Sequence, residues 1–175
     1  MNRDQVENLF QYCPRCSEDT IEFHEDGALR CPECEFTFFI NPAPTSTAII
    51  TNPDGQILLV RRARDPQKGM WDLPGGFVDL GETAETAVQR ELQEEVGVSA
   101  DNLEYFGSWV NSYEYKEVPY VTLDLIYIAT VTQTPRVVDE HEISEMQWMA
   151  PEQIAIDKVA FPSLRAALRA FIDRE

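Results

Sequence analysis

No stretch of 18 apolar residues occurs in this 175-residue chain, and its first ten residues hold no apolar core of the secretory kind. The expectation is a soluble cytoplasmic protein that makes no use of a membrane. Basic residues are scarce: 14 lysines and arginines face 31 aspartates and glutamates, a net charge of -17. Such a balance disfavours general attraction to nucleic acid or to anionic lipid, both of which reward excess lysine and arginine. Any anionic ligand must be met by cations gathered at one place. Histidine appears twice, as His24 and His141, each among acids, which suits a surface position better than a catalytic one. Cysteine appears four times, all within the first 34 residues. Apolar side chains, by contrast, make up 43% of the chain, enough for one medium domain or for a small module followed by a domain.

The cysteines form two C-x2-C pairs, Cys13-Pro-Arg-Cys16 and Cys31-Pro-Glu-Cys34, with 14 residues between them. Two such pairs put four thiolates at the tips of two tight turns, where they can surround Zn2+ tetrahedrally and leave no position for water. A disulfide framework is the competing reading, but it belongs to exported chains, and without an export signal zinc fits better. Ser17 and Glu35 stand where such turns often carry glycine. Residues 10–40 are too few to bury a core alone, so zinc is expected to supply much of this ribbon's folding free energy. Arg15 and Arg30 are its only basic side chains, which gives no footprint for nucleic acid.

Asn41-Pro-Ala-Pro44 interrupts regular structure and reads as the joint to a main domain, residues 41–175. Residues 45–51 and 56–61 are β-rich and flank Asn52-Pro-Asp-Gly55, which predicts a hairpin. Further strands are expected at 71–79, broken by Pro74-Gly75-Gly76, and at 103–113, 120–131 and 143–149. Leu164, Ala167, Leu168 and Phe171 recur at helical spacing within 162–173 and predict a closing helix that lays one face on a sheet. The pattern is an α/β domain, a mixed sheet between helices, preceded by a small zinc ribbon.

The segment after the Pro-Gly-Gly turn carries most of the chemistry. From Ala84, at about 100° of rotation per residue, Ala84, Ala87, Val88 and Leu92 share one side of a helix, and Thr86, Gln89, Arg90 and Gln93 the other. Thr83 is the expected N-cap and Gly97 the stop. Glu91, Glu94 and Glu95 fall among the apolar residues. Isolated buried carboxylates are costly, so a cation is expected to neutralise them, and oxygen-only ligands select a hard one, Mg2+ or Mn2+. An amphipathic helix with a charged rim is the structural alternative.

The spacing of Gly76, Glu82, Arg90-Glu91-Leu92, Glu94-Glu95 and Gly97-Val98 resembles the Nudix box and matches it at every fixed position. The resemblance implies an α/β/α sandwich and hydrolysis of a nucleoside diphosphate linked to another group, releasing a nucleoside monophosphate. It implies that Glu94 and Glu95 hold the metal, joined by the carbonyl of Gly75. Glu91 either ligates metal or acts as general base, and Glu82 and Arg90 support loop and helix by ion pairing. A zinc ribbon before such a domain is similar to the arrangement in pyrophosphatases acting on NADH, FAD or ADP-ribose. The Ser-Gln-Pro-Trp-Pro-Phe-Pro signature of the NADH-cleaving branch is missing, for the corresponding stretch runs Tyr105-Phe-Gly-Ser-Trp-Val-Asn-Ser-Tyr-Glu-Tyr115. ADP-ribose or FAD is therefore the leading substrate expectation, and a nucleoside triphosphate the enzymatic alternative. The reading of another class is a nucleotide sensor without turnover, its ribbon serving as an interaction module. Many members of the family dimerise, which leaves a homodimer open.

Other residues can serve such a site. Arg61, Arg62, Arg64 and Lys68 are the densest basic group, and Arg62 and Arg64 are the preferred phosphate contacts for their bidentate fork, against the alternative of a solvated loop. Glu140 and Glu142, in Asp139-Glu-His-Glu142, can supply an alternative general base or belong to a solvated acidic turn. Trp71, Phe77, Trp109, Tyr113 and Tyr115 either stack on a base or fill the core.

Overall fold

In the run Ala48-Ile49-Ile50 successive side chains leave a strand on opposite faces, yet all three are fully buried. A sheet covered on both sides is what permits this. The computed structural model describes residues 3–174. Its elements are α1 (Arg3–Leu9), β1 (Glu22–Phe23), β2 (Ala28–Arg30), β3 (Thr37–Phe39), β4 (Ala43–Ile50), β5 (Ile57–Arg62), β6 (Trp71–Asp72), β7 (Gly75–Phe77), α2 (Ala84–Val96), β8 (Asn102–Tyr115), β9 (Val118–Thr130), β10 (Ile143–Met149) and α3 (Pro162–Ile172). Single turns of 3-10 helix at Pro151–Gln153 and Ile156–Lys158 lead into α3. Among the described residues no helix is long and apolar enough to cross a membrane.

The chain divides into two units. The first comprises the residues up to Pro42 together with Ser112–Val121, the end of the β8–β9 hairpin. There β1, β2 and β3 form an antiparallel three-stranded sheet. Strands of two or three residues cannot make a core unaided. Val6 of α1 adds to it and is as well buried as Cys13, Ala28, Leu29 and Cys31, all 2% exposed or less. The first unit thus begins before residue 10, with a helix that the ribbon's spacing did not announce. The hairpin end turns at Lys116 and Glu117, whose φ values of 51° and 64° are those of a tight two-residue turn.

The second unit contains Ala43–Asn111 and the residues from Thr122 onward. It holds two sheets, ordered β7-β4-β9-β8 and β10-β5-β6. The first is mixed, for β4 runs parallel to β9 and antiparallel to β7. One face of the sheets, including Ala48, Ile50, Leu58 and Val60, packs on Val88, Leu92 and Val96 of α2. The other, including Ile49, Ile57, Leu59 and Ile126, packs on Leu164, Ala167, Leu168 and Phe171 of α3. Each valine, leucine, isoleucine or phenylalanine among them contributes about 1.5–3 kcal/mol by leaving water, and the result is the expected α/β/α sandwich.

One expectation needs correction. Asn52-Pro-Asp-Gly55 does form a turn: Asn52 Oδ1 accepts the N–H groups of Asp54 and Gln56. The flanking strands meet only at the Thr51–Ile57 bridge and then part into different sheets. Both are apolar on two faces, and each finds a distant partner, β9 for β4 and β10 for β5. A turn signal specifies the reversal but not how far the pairing continues.

Candidate active site

Helix α2 starts where Thr83 Oγ1 accepts the Thr86 N–H at 3.2 Å, and ends where Gly97, at φ 66°, donates its N–H to the Leu92 carbonyl. Between these caps Ala87, Val88, Leu92 and Val96 face inward, and Glu95 goes with them at 7% exposure. Glu91 is close behind, its side chain 13% exposed, whereas that of Glu94 is 57% exposed. The three glutamates therefore do not share one buried face. Consecutive residues sit about 100° apart on a helix, so with Glu95 aimed at the sheet Glu94 is turned to the rim.

Strand β7 brings the Pro-Gly-Gly turn against these carboxylates. It pairs with β4 in the register Thr47–Gly75, Ser46–Gly76 and Thr45–Phe77. The N–H of Gly75 donates to Glu95 Oε2 at 2.9 Å. Both glycines are required by proximity. A Cβ on Gly75, at φ 145°, would lie 2.4 Å from the Ser46 carbonyl oxygen, and one on Gly76 would lie 2.4 Å from Glu91 Oε1. Gly75→Ala meets backbone and should destabilise the fold by about 3 kcal/mol in denaturant unfolding. For Gly76→Ala the nearest clash is with the Glu91 carboxylate, the end of a flexible side chain, so its loss should appear in turnover with little change in stability; the reverse ranking would contradict this packing.

Arg90 ties the outer carboxylates together. Its Nε and Nη2 donate to the two oxygens of Glu82 at 2.9 and 3.0 Å, Nη1 to Glu91 at 2.9 Å and Glu94 at 3.1 Å, and Nη2 also to the Phe77 carbonyl at 3.0 Å. Glu82 in turn accepts the N–H of Asp79 at 3.1 Å. Arg90 thereby clamps the loop between β7 and α2. Its guanidinium holds the Glu82 carboxyl below the ordinary range. Burial acts the other way on Glu91 and raises it despite Arg90. Glu95 is raised well above an ordinary glutamate, chiefly by burial and further by Glu91, Asp72 and Glu142, against which the Gly75 N–H is a partial relief.

A cavity of about 120 Å³ opens beside Glu95, lined by Gly75, Gly76, Phe77, Asp72, Glu142, Arg62 and Arg64. Asp72, which is not among the candidates named from the sequence, is 7% exposed; an acid between Trp71 and Leu73 is the local signal for it. Arg62 donates to it at 2.7 Å and to the Pro66 carbonyl at 2.7 Å, and lies over the Phe161 ring. That commits Arg62 to structure rather than to a free phosphate contact. Arg64 is paired with Glu142 but its side chain is 61% exposed. Arg61 is occupied by Glu145, the Gly69 carbonyl and the face of Trp71.

The acidic turn after β9 is anchored to the end of α2, where Arg136 and Val138 donate to the carbonyls of Val96 and Glu95. Glu140 and His141 are exposed beside Glu94 in an open cleft, while Glu142 faces the cavity. Of the aromatic candidates, Trp109 packs on Phe106 and Tyr113 stacks on Tyr120, so only Phe77, 47% exposed, presents a free face at the cavity.

A second candidate centre lies in the first unit. The four thiols are free, with ligand atoms all within 4.8 Å of one another; Cys13–Cys34 and Cys16–Cys31 are separated by 3.7 and 3.6 Å. Those distances are far too long for disulfides. A tetrahedron with metal–sulfur bonds of about 2.3 Å has edges of about 3.8 Å, so the four sulfurs fit a zinc-like ion. The two turns repeat each other: Ser17 and Glu35 adopt φ 67° and 58° and donate to the carbonyls of Cys13 and Cys31.

The sequence model of the NUDIX domain matches residues 41–171. The chain is 30% identical over 145 residues to the NAD-capped RNA hydrolase NudC of Haemophilus influenzae strain PittGG, covering 82% of this chain and 52% of that protein. It is 28% identical over 147 residues to the human mitochondrial NAD(P)H pyrophosphatase NUDT13, covering 83% of this chain and 40% of that protein. The chain thus spans about half the length, or less, of these curated relatives. Among solved structures, the MutT NUDIX hydrolase of Burkholderia pseudomallei aligns with a TM-score of 0.61 at 30% identity, covering 74% of this chain and 98% of that one.

Proposed function

Because the chain belongs to the NUDIX family, we propose that it hydrolyses the pyrophosphate link of a dinucleotide-like substrate, ADP-ribose or FAD in particular. The observation that carries the reading is Glu95, a carboxylate 7% exposed, held by a backbone N–H beside a second largely buried carboxylate, Glu91. Such a pair is costly without a cation. Mg2+ or Mn2+ suits this oxygen-only set, with Glu95, Glu91 and the rim carboxylate of Glu94 as ligands and the Gly75 carbonyl as a fourth. When bound, the cation supplies charge neutralisation on phosphate oxygens and a lowered pKa for water.

The chain's own residues do the rest. Arg90 and Glu82 hold the loop and α2 in register, and Arg64 meets the phosphate charge at the cavity. Phe77 offers an apolar face to the organic part of the substrate. Water attacks one phosphorus, the bond from that phosphorus to the bridging oxygen breaks, and a nucleoside monophosphate and a second phosphorylated product leave. The proton passes to the cavity-facing Glu142, or to Glu91 where the ion is held by Glu94, Glu95 and the Gly75 carbonyl without it. Zn2+ held by Cys13, Cys16, Cys31 and Cys34 is the structural ion of the ribbon, and unpaired thiols suit a reducing compartment such as the cytoplasm. The names of both curated relatives point to NAD-type dinucleotides, which supports a pyrophosphate between two nucleoside-like halves.

The test is a panel of ADP-ribose, FAD, NADH and nucleoside triphosphates with Mg2+ or Mn2+, products being separated by chromatography. The expected result is a nucleoside monophosphate from ADP-ribose or FAD. Tight binding of ADP-ribose with no product from any member would replace the enzyme by a sensor.

A further inference from the structure

The ion pair between Arg64 and Glu142 joins the cavity's exposed arginine to its second carboxylate wall. The two belong to segments tied at the backbone, for the Ala63 N–H donates to the Glu142 carbonyl at 2.8 Å and Arg62 is in register with Ile143. Their side chains can therefore part without moving the strands. The neighbouring arginines cannot be spared. Arg62 is 22% exposed and fixed by Asp72, Pro66 and Phe161, and Arg61 is held by Glu145, Gly69 and Trp71. Arg64, at 61% exposure, pays least to change partners, since exposed ion pairs are weak and a phosphate offers the same fork more charge.

We propose that Arg64 exchanges Glu142 for a substrate phosphate, so that the Glu142 carboxylate is released into the cavity beside Glu95 only when a polyphosphate is bound. The inference rests on the pyrophosphohydrolase reading. Its physical motive is like-charge repulsion. An unpaired Glu142 would add its charge to a cavity already lined by Glu95 and the Arg62-bound Asp72, and Arg64 masks it until the anion arrives. Arg64 is then a binding residue that also positions Glu142, coupling occupancy of the site to the arrangement of its acids.

The experiment is a double-mutant cycle read by calorimetric binding of α,β-methylene ADP with Mg2+, whose P–C–P link is not hydrolysed. Arg64→Ala is expected to weaken binding about tenfold in the wild-type background. In the Glu142→Gln background the same substitution should weaken it by a further factor of about two to five, because there Arg64 had no competing partner to give up. Any loss of magnesium affinity caused by Gln at 142 is common to both arms and cancels. An equal loss in the two backgrounds would make the residues independent and overturn the exchange, as would no loss in either. Turnover is not read, so a substrate panel without product and a failed cycle are separate results.

Discussion

Replacing Glu95 with Gln is expected to lower turnover by at least about 10²-fold while the protein remains folded. The reason is that Glu95 is the most deeply placed of the helix α2 carboxylates, 7% exposed and joined to the Pro-Gly-Gly turn through the Gly75 N–H. Gln retains the shape and an acceptor for that N–H but removes the charge a divalent ion needs. A second signature separates this role from a merely structural one. Burial raises the Glu95 pKa well above an ordinary glutamate, so the fold favours its protonated form. Below the unfolded-state pKa both states carry the proton and stability is unaffected. As pH rises the unfolded chain ionises first, and stability falls until the folded pKa is passed. In magnesium-free buffer the wild type should therefore lose melting temperature as pH rises above the ordinary glutamate pKa of about 4.3 relative to Glu95→Gln, and Mg2+ should close the gap. Parallel pH profiles for the two proteins, or undiminished turnover in the variant, would remove Glu95 from the centre of the site.

The second large effect is expected in the first unit. Cys16→Ser removes one of four thiols whose spacing fits a tetrahedral ion, and three ligands from a set with no water position hold zinc poorly. The unit has little else to hold it together. Strands β1, β2 and β3 are two or three residues long, and among the described residues its buried apolar side chains are Val6, Ala28 and Leu29 beside Cys13 and Cys31. Structural zinc commonly supplies about 10–16 kcal/mol to such modules. The variant should lose stoichiometric zinc by metal analysis, and the residues up to Pro42 should lose protection in hydrogen exchange. An intact zinc content with an unchanged melting curve would show that the thiols are not the staple.

What could be read in the chain follows the range of the interactions. Thr83 and Gly97 bound α2 because capping is local chemistry between neighbours. The period of Leu164, Ala167, Leu168 and Phe171 marks α3, because a helix repeats its inward face within one turn or two. The four cysteines were legible because C-x2-C is itself a turn geometry. The fates of the arginines were not. Arg62, chosen for its fork, is spent on Asp72, and Arg64 meets Glu142 from a segment 78 residues away. The divergence of β4 and β5 escaped the sequence for the same reason, since β9 and β10 decide it from afar.

From the residues alone came the acidic helix, the two glycines ahead of it, the zinc-type cysteines and the β-rich runs of an α/β domain. These rest on periodicity, capping and ligand spacing, which act over a few residues. Tertiary structure alone decided that Glu95 goes inward while Glu94 stays at the rim, that Asp72 joins the cavity, and which arginine there stays mostly exposed. Those outcomes depend on how the helix is rolled against the sheet and on which distant strands pair. Both are set by packing the whole core at once, so no local stretch of chain contains them.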